Sequence, residues 1–357
     1  MFPRKRSRGG QRLQAGSLRN SPDASGETCA THLGRCLVVL TALLISGCAG
    51  LKRHSEEPPA PQQIVLATDL QLPLNLPGVP QFQASGLLFL PSGELLTIND
   101  RSPTLYRVEF HSGGSTADLV PLTDCFGTAR MAPFRARDLD CEGIARDFAG
   151  RLYICEEDSR SIFRCDPAKG SVERLPIDWT SVARFFSSDR NASFEGIAIG
   201  NDMLYVANER SDAVIIVVDL TSLRVVDSFV VEPLSGSFLG ILHYSDLSWH
   251  NGHLFILCRH HRVIVEVEPR TRRVLAEFDY RDVEEQLAYR KRYPTGIMEG
   301  LAVDDDGFWL VTDNNGMGLN ASPGDTRPTL VRCKRTTTSV PASQSPERLV
   351  PASARAR

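Results

Sequence analysis

Three glutamates stand immediately before a glycine, in Glu142-Gly143-Ile144-Ala145, Glu195-Gly196-Ile197-Ala198 and Glu299-Gly300-Leu301-Ala302. Each phrase leads into a strand-like run that ends on an acid, at Glu157, Glu209 and Asp313. A carboxylate that recurs at one place in a repeat needs a shared chemical reason. Carboxylates within ~4–6 Å raise one another's pKa and lose solvation, so a set of them calls for a cation. Calcium fits best, because it accepts several carboxylate and carbonyl oxygens in flexible geometry. No His/Cys set has zinc-ligand spacing. Beside such an ion a carboxylate can activate water and a guanidinium can clamp an anion, which are the parts needed to hydrolyse a phosphoester or similar ester.

The elements that position these acids repeat five times. Aligned on the first large apolar residue after Glu-Gly, the units start at Leu87, Ile144, Ile197, Leu247 and Leu301, spaced 57, 53, 50 and 54 residues apart. A period of this size suggests a propeller. Second strands read "ELLTIND", "RLYICEE", "MLYVANE", "HLFILCR" and "FWLVTDN", and third strands such as "AVIIVVD" follow. They are near-continuously apolar, as expected when each blade is buried on both faces. The expected fold is an all-β propeller over residues 62–335, with five four-stranded blades, or six if another lies before Ser85. The last unit lacks a fourth strand before the Ser/Pro/Arg tail at 336–357, so "QQIVLATDLQL" from Gln62 is expected to close the ring. Helical inserts are expected at "DWTSVARFF" and "RDVEEQLAYRKR".

In a propeller the first strand of each blade lines the channel and the second runs back beside it, so the start of one and the end of the other share a mouth. The first set is Ser85, Glu142, Glu195, Ser245 and Glu299; the second is Asp100, Glu157, Glu209, Arg259 and Asp313. Seven acids thus meet one in-register arginine. Glu142, Glu195, Glu299 and Asp313 are the expected metal ligands. Glu157, Glu209 and Arg259 are the expected catalytic groups, and Asp100, Arg210, His243 and His260 the expected ligand contacts. In the plainer alternative Arg101, Arg160, Arg210 and Arg259 neutralise the acids without a metal, and both histidines are solvated loop residues. Glycine after each glutamate lets inner strands converge on the axis. Unit four has Ser245-Asp246 instead, a departure expected to open the ring on that side. The loop Asn314 to Pro328 is a candidate lid.

The repeated phrases "D-x-EGIA", "FEGIA" and "MEGLAVDDDG" resemble the exported propellers called the esterase-like domain of phytase and the related SdiA-regulated propeller family, over roughly Ile64 to Arg335. The resemblance implies that repeated acids hold the metal and any active site, here Glu142, Glu195 and Glu299 with Glu157, Glu209 and Asp313 as companions. The Asp-Asp-Pro-Ala-type opening of calcium phytases is absent, which puts phytate hydrolysis in doubt. Two further readings stand beside an ester hydrolase: a non-catalytic envelope module that binds a ligand or protein, and a calcium-dependent lactonase with Asn99, Asn208 and Asn314 as amide ligands. No Gly-x-Ser-x-Gly elbow supports a serine hydrolase.

The net charge of −3 hides an asymmetry. Residues 1–47 hold seven Lys/Arg against Asp23 and Glu27, leaving −8 for the remainder. So acidic a body argues against nucleic acid. The basic start runs into the apolar stretch Cys36 to Gly47, too short for a spanning helix but fitting a signal peptide. Leu44-Ile45-Ser46-Gly47-Cys48 resembles the bacterial lipobox, so residues 1–47 are expected to be removed. Cys48 would be acylated, residues 48–61 would form the linker, and a monomer would sit on the periplasmic side of the outer membrane. The long stretch before Arg35 leaves room for a later translation start. Of the six body cysteines, Cys155 and Cys165 flank a turn and could face each other across a hairpin; buried free thiols are the alternative.

Overall fold

The computed structural model describes residues 59–335, apart from 80–81, 124, 135–138, 190–191, 210–212, 237–240 and 290–294. Arg210, the leader through Cys48 and the tail from 336 lie outside the described residues.

The chain begins with β1 (Gln62–Val65) and β2 (Thr68–Asn75). Unit one follows as β3 (Ala84–Phe89), β4 (Leu95–Asn99), β5 (Ser102–Phe110) and β6 (Ala117–Pro121). Unit two is β7 (Cys141–Arg146), β8 (Leu152–Glu156), β9 (Ser161–Asp166) and β10 (Ser171–Arg174). Unit three is β11 (Phe194–Gly200), β12 (Met203–Asn208), β13 (Val214–Asp219) and β14 (Arg224–Phe229). Unit four is β15 (Tyr244–His250), β16 (His253–Cys258), β17 (Val263–Glu268) and β18 (Arg273–Asp279). Unit five supplies only β19 (Met298–Val303), β20 (Gly307–Thr312) and β21 (Thr329–Lys334) from its own stretch of chain.

The missing strand is β2, which runs antiparallel to β21 from Thr68 opposite Cys333 to Pro73 opposite Thr329. β1 instead adds parallel to β18. Both described strands before Ser85 therefore join existing units, and among the described residues the strands make five units. Their inner strands pack in a closed ring: β3 on β7, β7 on β11, β11 on β15, β15 on β19 and β19 on β3. The fold is a β-propeller.

Burial explains the continuous apolar pattern. Every residue of β8 and of β20 is buried, because a second strand is covered by the neighbouring unit on each face. One core cluster joins Tyr205, Ile215 and Val217 of unit three to Leu254, Ile256 and Val265 of unit four. Each such side chain contributes ~1.5–3 kcal/mol relative to exposure. The expected inserts form a 3₁₀ turn at Thr180–Phe185 and a short helix at Arg281–Gln286.

The hairpin disulfide is not what forms. In register, Cys155 stands opposite Ile162 and Cys165 opposite Leu152. Cys165 bonds Cys125, with Cα atoms 5.8 Å apart, tying the segment after β6 to β9. Cys155 remains a buried thiol that accepts the Gly143 amide at 3.1 Å.

Candidate functional site

Each inner strand carries one extra residue where it enters the mouth. Pairing shifts between Ala84 and Leu87, Cys141 and Ile144, Phe194 and Ile197, Tyr244 and Asp246, and Met298 and Gly300. Such a bulge turns a side chain out of the ladder, here into the channel. The next residue is pressed against the following inner strand. A Cβ on Gly143 would lie 2.6 Å from the Ile197 nitrogen, and one on Gly196 2.4 Å from the Asp246 Cα. That approach is why glycine follows the glutamate.

A second device also repeats fivefold. The amide at the end of the second strand donates to the carbonyl two residues before the ring position: Asp100 to Gln83, Glu157 to Asp140, Glu209 to Ser193, Arg259 to His243 and Asp313 to Ile297, all within 2.7–3.1 Å. A third position per unit is therefore tied to the end of the second strand, and Gln83 and Asp140 of this set line the cavity. Asp140 and His243 belong to this third set.

The mouth opens into a cavity of about 630 Å³. Two carboxylate triads there share Glu157: Asp140 with Glu142 and Glu157, and Glu157 with Glu195 and Glu209, the facing oxygens of each triad lying within 4.8 Å of one another. Glu157, Glu195 and Glu209 are buried. Burial raises Glu142 well above the usual carboxylate range, with Asp140 adding repulsion, and raises Glu195 likewise, with Glu209 adding to it. Burial, then Asp140 and Glu209, pushes Glu157 to about 8. Asp100 is pushed to about 7 by burial and by Asp313. These clusters could bind a metal ion, since oxygen-only donors crowded by burial and mutual repulsion suit a divalent cation.

The other expected site residues divide. Glu299 is ion-paired with Arg259, and both are mostly buried. Asp313 accepts the Asn315 amide at 2.8 Å. Neither belongs to the carboxylate triads among the described residues, so the acids that gather are Glu142 and Glu195 with the two expected catalytic glutamates. His243 is no solvated loop residue: it is 1% exposed, pairs with Glu209, and packs edge-on against His260 at 4.4 Å between ring centres. His260 is held near 4 by burial and by its neighbours His243 and Arg259.

Asp246 does not open the ring. It is fully buried, and its carboxylate accepts the amides of Leu301 at 2.7 Å, Leu247 at 2.8 Å and Leu87 at 3.3 Å. Four glycines at the equivalent places leave room for one side chain at the axis, and Asp246 fills it. A second pocket of about 160 Å³ is lined by Leu87, Ile144, Arg146, Ile197, Leu247 and Trp249. The three asparagines are engaged elsewhere: Asn99 accepts the Arg101 amide, Asn208 donates to the Phe185 carbonyl, and Asn314 donates to carbonyls of its own loop at Met317, Thr326 and Arg327. Asn314 thereby pins the segment expected to be a lid.

A family model described as "Phytase-like: Esterase-like activity of phytase" matches residues 81–316, the span that holds the ring and the acidic mouth. The chain belongs to this family. No curated protein matches the phytase-like chain. Among solved structures, glutaminyl cyclase from Myxococcus xanthus is similar at 15% identity and a TM-score of 0.50, with 77% of this chain and 98% of the cyclase covered. The PQQ-bound aldose sugar dehydrogenase of Streptomyces coelicolor is similar at 14% identity and a TM-score of 0.42, covering 75% and 97%. At these identities the likeness of the phytase-like chain to the cyclase concerns the fold alone.

Proposed function

We propose that this chain is an exported, lipid-anchored propeller that binds calcium at its acidic mouth and hydrolyses an ester or phosphoester there. The observation that carries the reading is the pair of carboxylate triads joined through Glu157, one of them with all three members buried. Asp140, Glu142, Glu157, Glu195 and Glu209 would hold the ion, because an all-carboxylate set suits calcium better than zinc. When bound, calcium would polarise the ester oxygen as a Lewis acid. His243 orients Glu209 from behind, as partners of metal-holding carboxylates do. Asp100 stands outside the triads, is held above the usual carboxylate range by burial and by Asp313, and has one oxygen without a hydrogen-bond partner among the described residues. It is the carboxylate suited to take a proton from attacking water at neutral pH.

Calorimetric titration with calcium, followed by assays on a simple phosphodiester, a carboxylic ester and a lactone with and without chelator, tests this reading. Calcium binding with a dissociation constant of roughly 10⁻⁵–10⁻³ M is expected, along with chelator-sensitive turnover of one of the first two substrates. Absence of calcium binding overturns the metal. Binding without turnover of any ester leaves a ligand-binding module instead.

Anchoring is tested separately. Cys48→Ala is expected to move the protein from the membrane to the soluble fraction, because acylation needs the thiol. Unchanged membrane association would refute the anchor.

A further inference from the structure

Building on the hydrolase reading, we propose that Arg101 reads the charge of the substrate and that the substrate is an ester bearing one negative charge, with a phosphodiester as its simplest form. The in-register arginine is already engaged: the Arg259 guanidinium is paired with Glu299, at 17% and 13% side-chain exposure. Arg101 lines the same cavity but is 75% exposed, and its nearest acid, Asp100, lies at 3.8 Å, a loose ion pair. Its backbone is held by Asn99, whose side-chain oxygen accepts the Arg101 amide at 3.0 Å. That bond fixes the turn after β4 and leaves the guanidinium donors for a ligand.

The number of charges follows from the rest of the lining. Among the described residues eight carboxyl groups face two guanidinium groups. A substrate with several phosphates would set each additional one against a carboxylate, a repulsion that grows with every charge. One anionic group can be met by Arg101 alone, through the two parallel N–H···O bonds that a guanidinium makes with a phosphate or carboxylate. A group held there lies beside Asp100, the proton acceptor assigned above.

The test uses the calcium-loaded full chain, unaltered and as Arg101→Gln and Arg101→Lys, titrated with dimethyl phosphate, which carries one charge, and with neutral trimethyl phosphate. The unaltered protein is expected to bind only the charged ester. Arg101→Gln should weaken that binding about 10- to 100-fold, the size of a charge-assisted hydrogen-bond pair. Lys should restore part of it, and calcium affinity should hold or rise because a repelling cation has gone. In turnover, Arg101→Gln should raise KM for a phosphodiester with little change in kcat. Equal binding of the two esters, failure of the unaltered protein to bind dimethyl phosphate, or unchanged affinity in Arg101→Gln would overturn the proposal. Arg101-dependent binding without turnover would instead refute the hydrolase reading and leave the charge assignment standing.

Discussion

Replacing Glu157 by Gln is expected to remove most of the calcium affinity and, in calcium-free buffer, to make the protein more stable. Glu157 is shared by both triads, so its loss leaves each with two carboxylates. Calcium affinity tracks the number of charged ligands, and a loss of about 100-fold is expected. At a concentration 100 times the original dissociation constant, the stabilisation conferred by calcium would then fall from about 2.7 to about 0.4 kcal/mol. Without calcium the balance reverses. A glutamine can still accept the Ser193 amide that Glu157 accepts at 2.9 Å, while the cost of either protonating or ionising a buried carboxyl beside Asp140 and Glu209 disappears.

The pH dependence has the same origin. Glu157 near 8 and Asp100 near 7 are both raised above their ordinary values of 4.5 and 3.8. Between those limits the folded chain holds protons that the unfolded chain has released, so the calcium-free protein should lose stability as pH rises from about 5 to about 8. In Glu157→Gln this decline should be shallower. Thermal unfolding in chelator and in calcium across that range measures both effects. An unaltered calcium shift in the variant, or a flat profile for the metal-free protein, would contradict the assignment.

Asp246→Ala should be among the most damaging single changes outside the acidic cluster. The carboxylate receives three backbone amides, two of them from units one and five, and all three donor residues are buried. Each orphaned amide costs ~1–3 kcal/mol, and the space left at the axis adds a cavity penalty. A loss of at least about 4 kcal/mol is expected, read as the denaturant midpoint in urea. Asp246→Asn retains one acceptor oxygen and should fall between. If the alanine variant unfolded within about 1 kcal/mol of the parent, Asp246 would not be the axial brace described here.

The ring was legible because its period is written in short phrases. Glu-Gly marks the bulge in three units, and the acid ending each second strand follows from antiparallel register. Only the second part of the orphan run from Gln62 found its expected place, as β2; its first part, β1, added to unit four instead. Asp140 stood in the phrase Asp140-Cys141-Glu142, yet its position two residues before the ring is filled by Gln83, Ser193, His243 and Ile297 elsewhere. Only the repeated backbone bond unites those residues. The Cys125–Cys165 pair joins residues 40 apart through packing that strand spacing does not encode. Likewise, the Arg259–Glu299 pair depends on which neighbours the bulges bring together. Aspartate in place of glycine read as a gap, because the pattern gave no sign that four glycines leave room for one side chain.

The join between β2 and β21 sets a schedule for making the protein. Among the described residues the second strand in chain order must wait for the twenty-first, since Thr68 pairs with Cys333. At ~5–20 residues per second the interval is tens of seconds. During that time β2 and β20 both lack the strand β21 that lies between them in the completed ring. A ribosome that stalls before Thr329 releases a chain with every unit but the last complete and no way to close, so quality control acting on unpaired strand edges has a well-defined product to recognise.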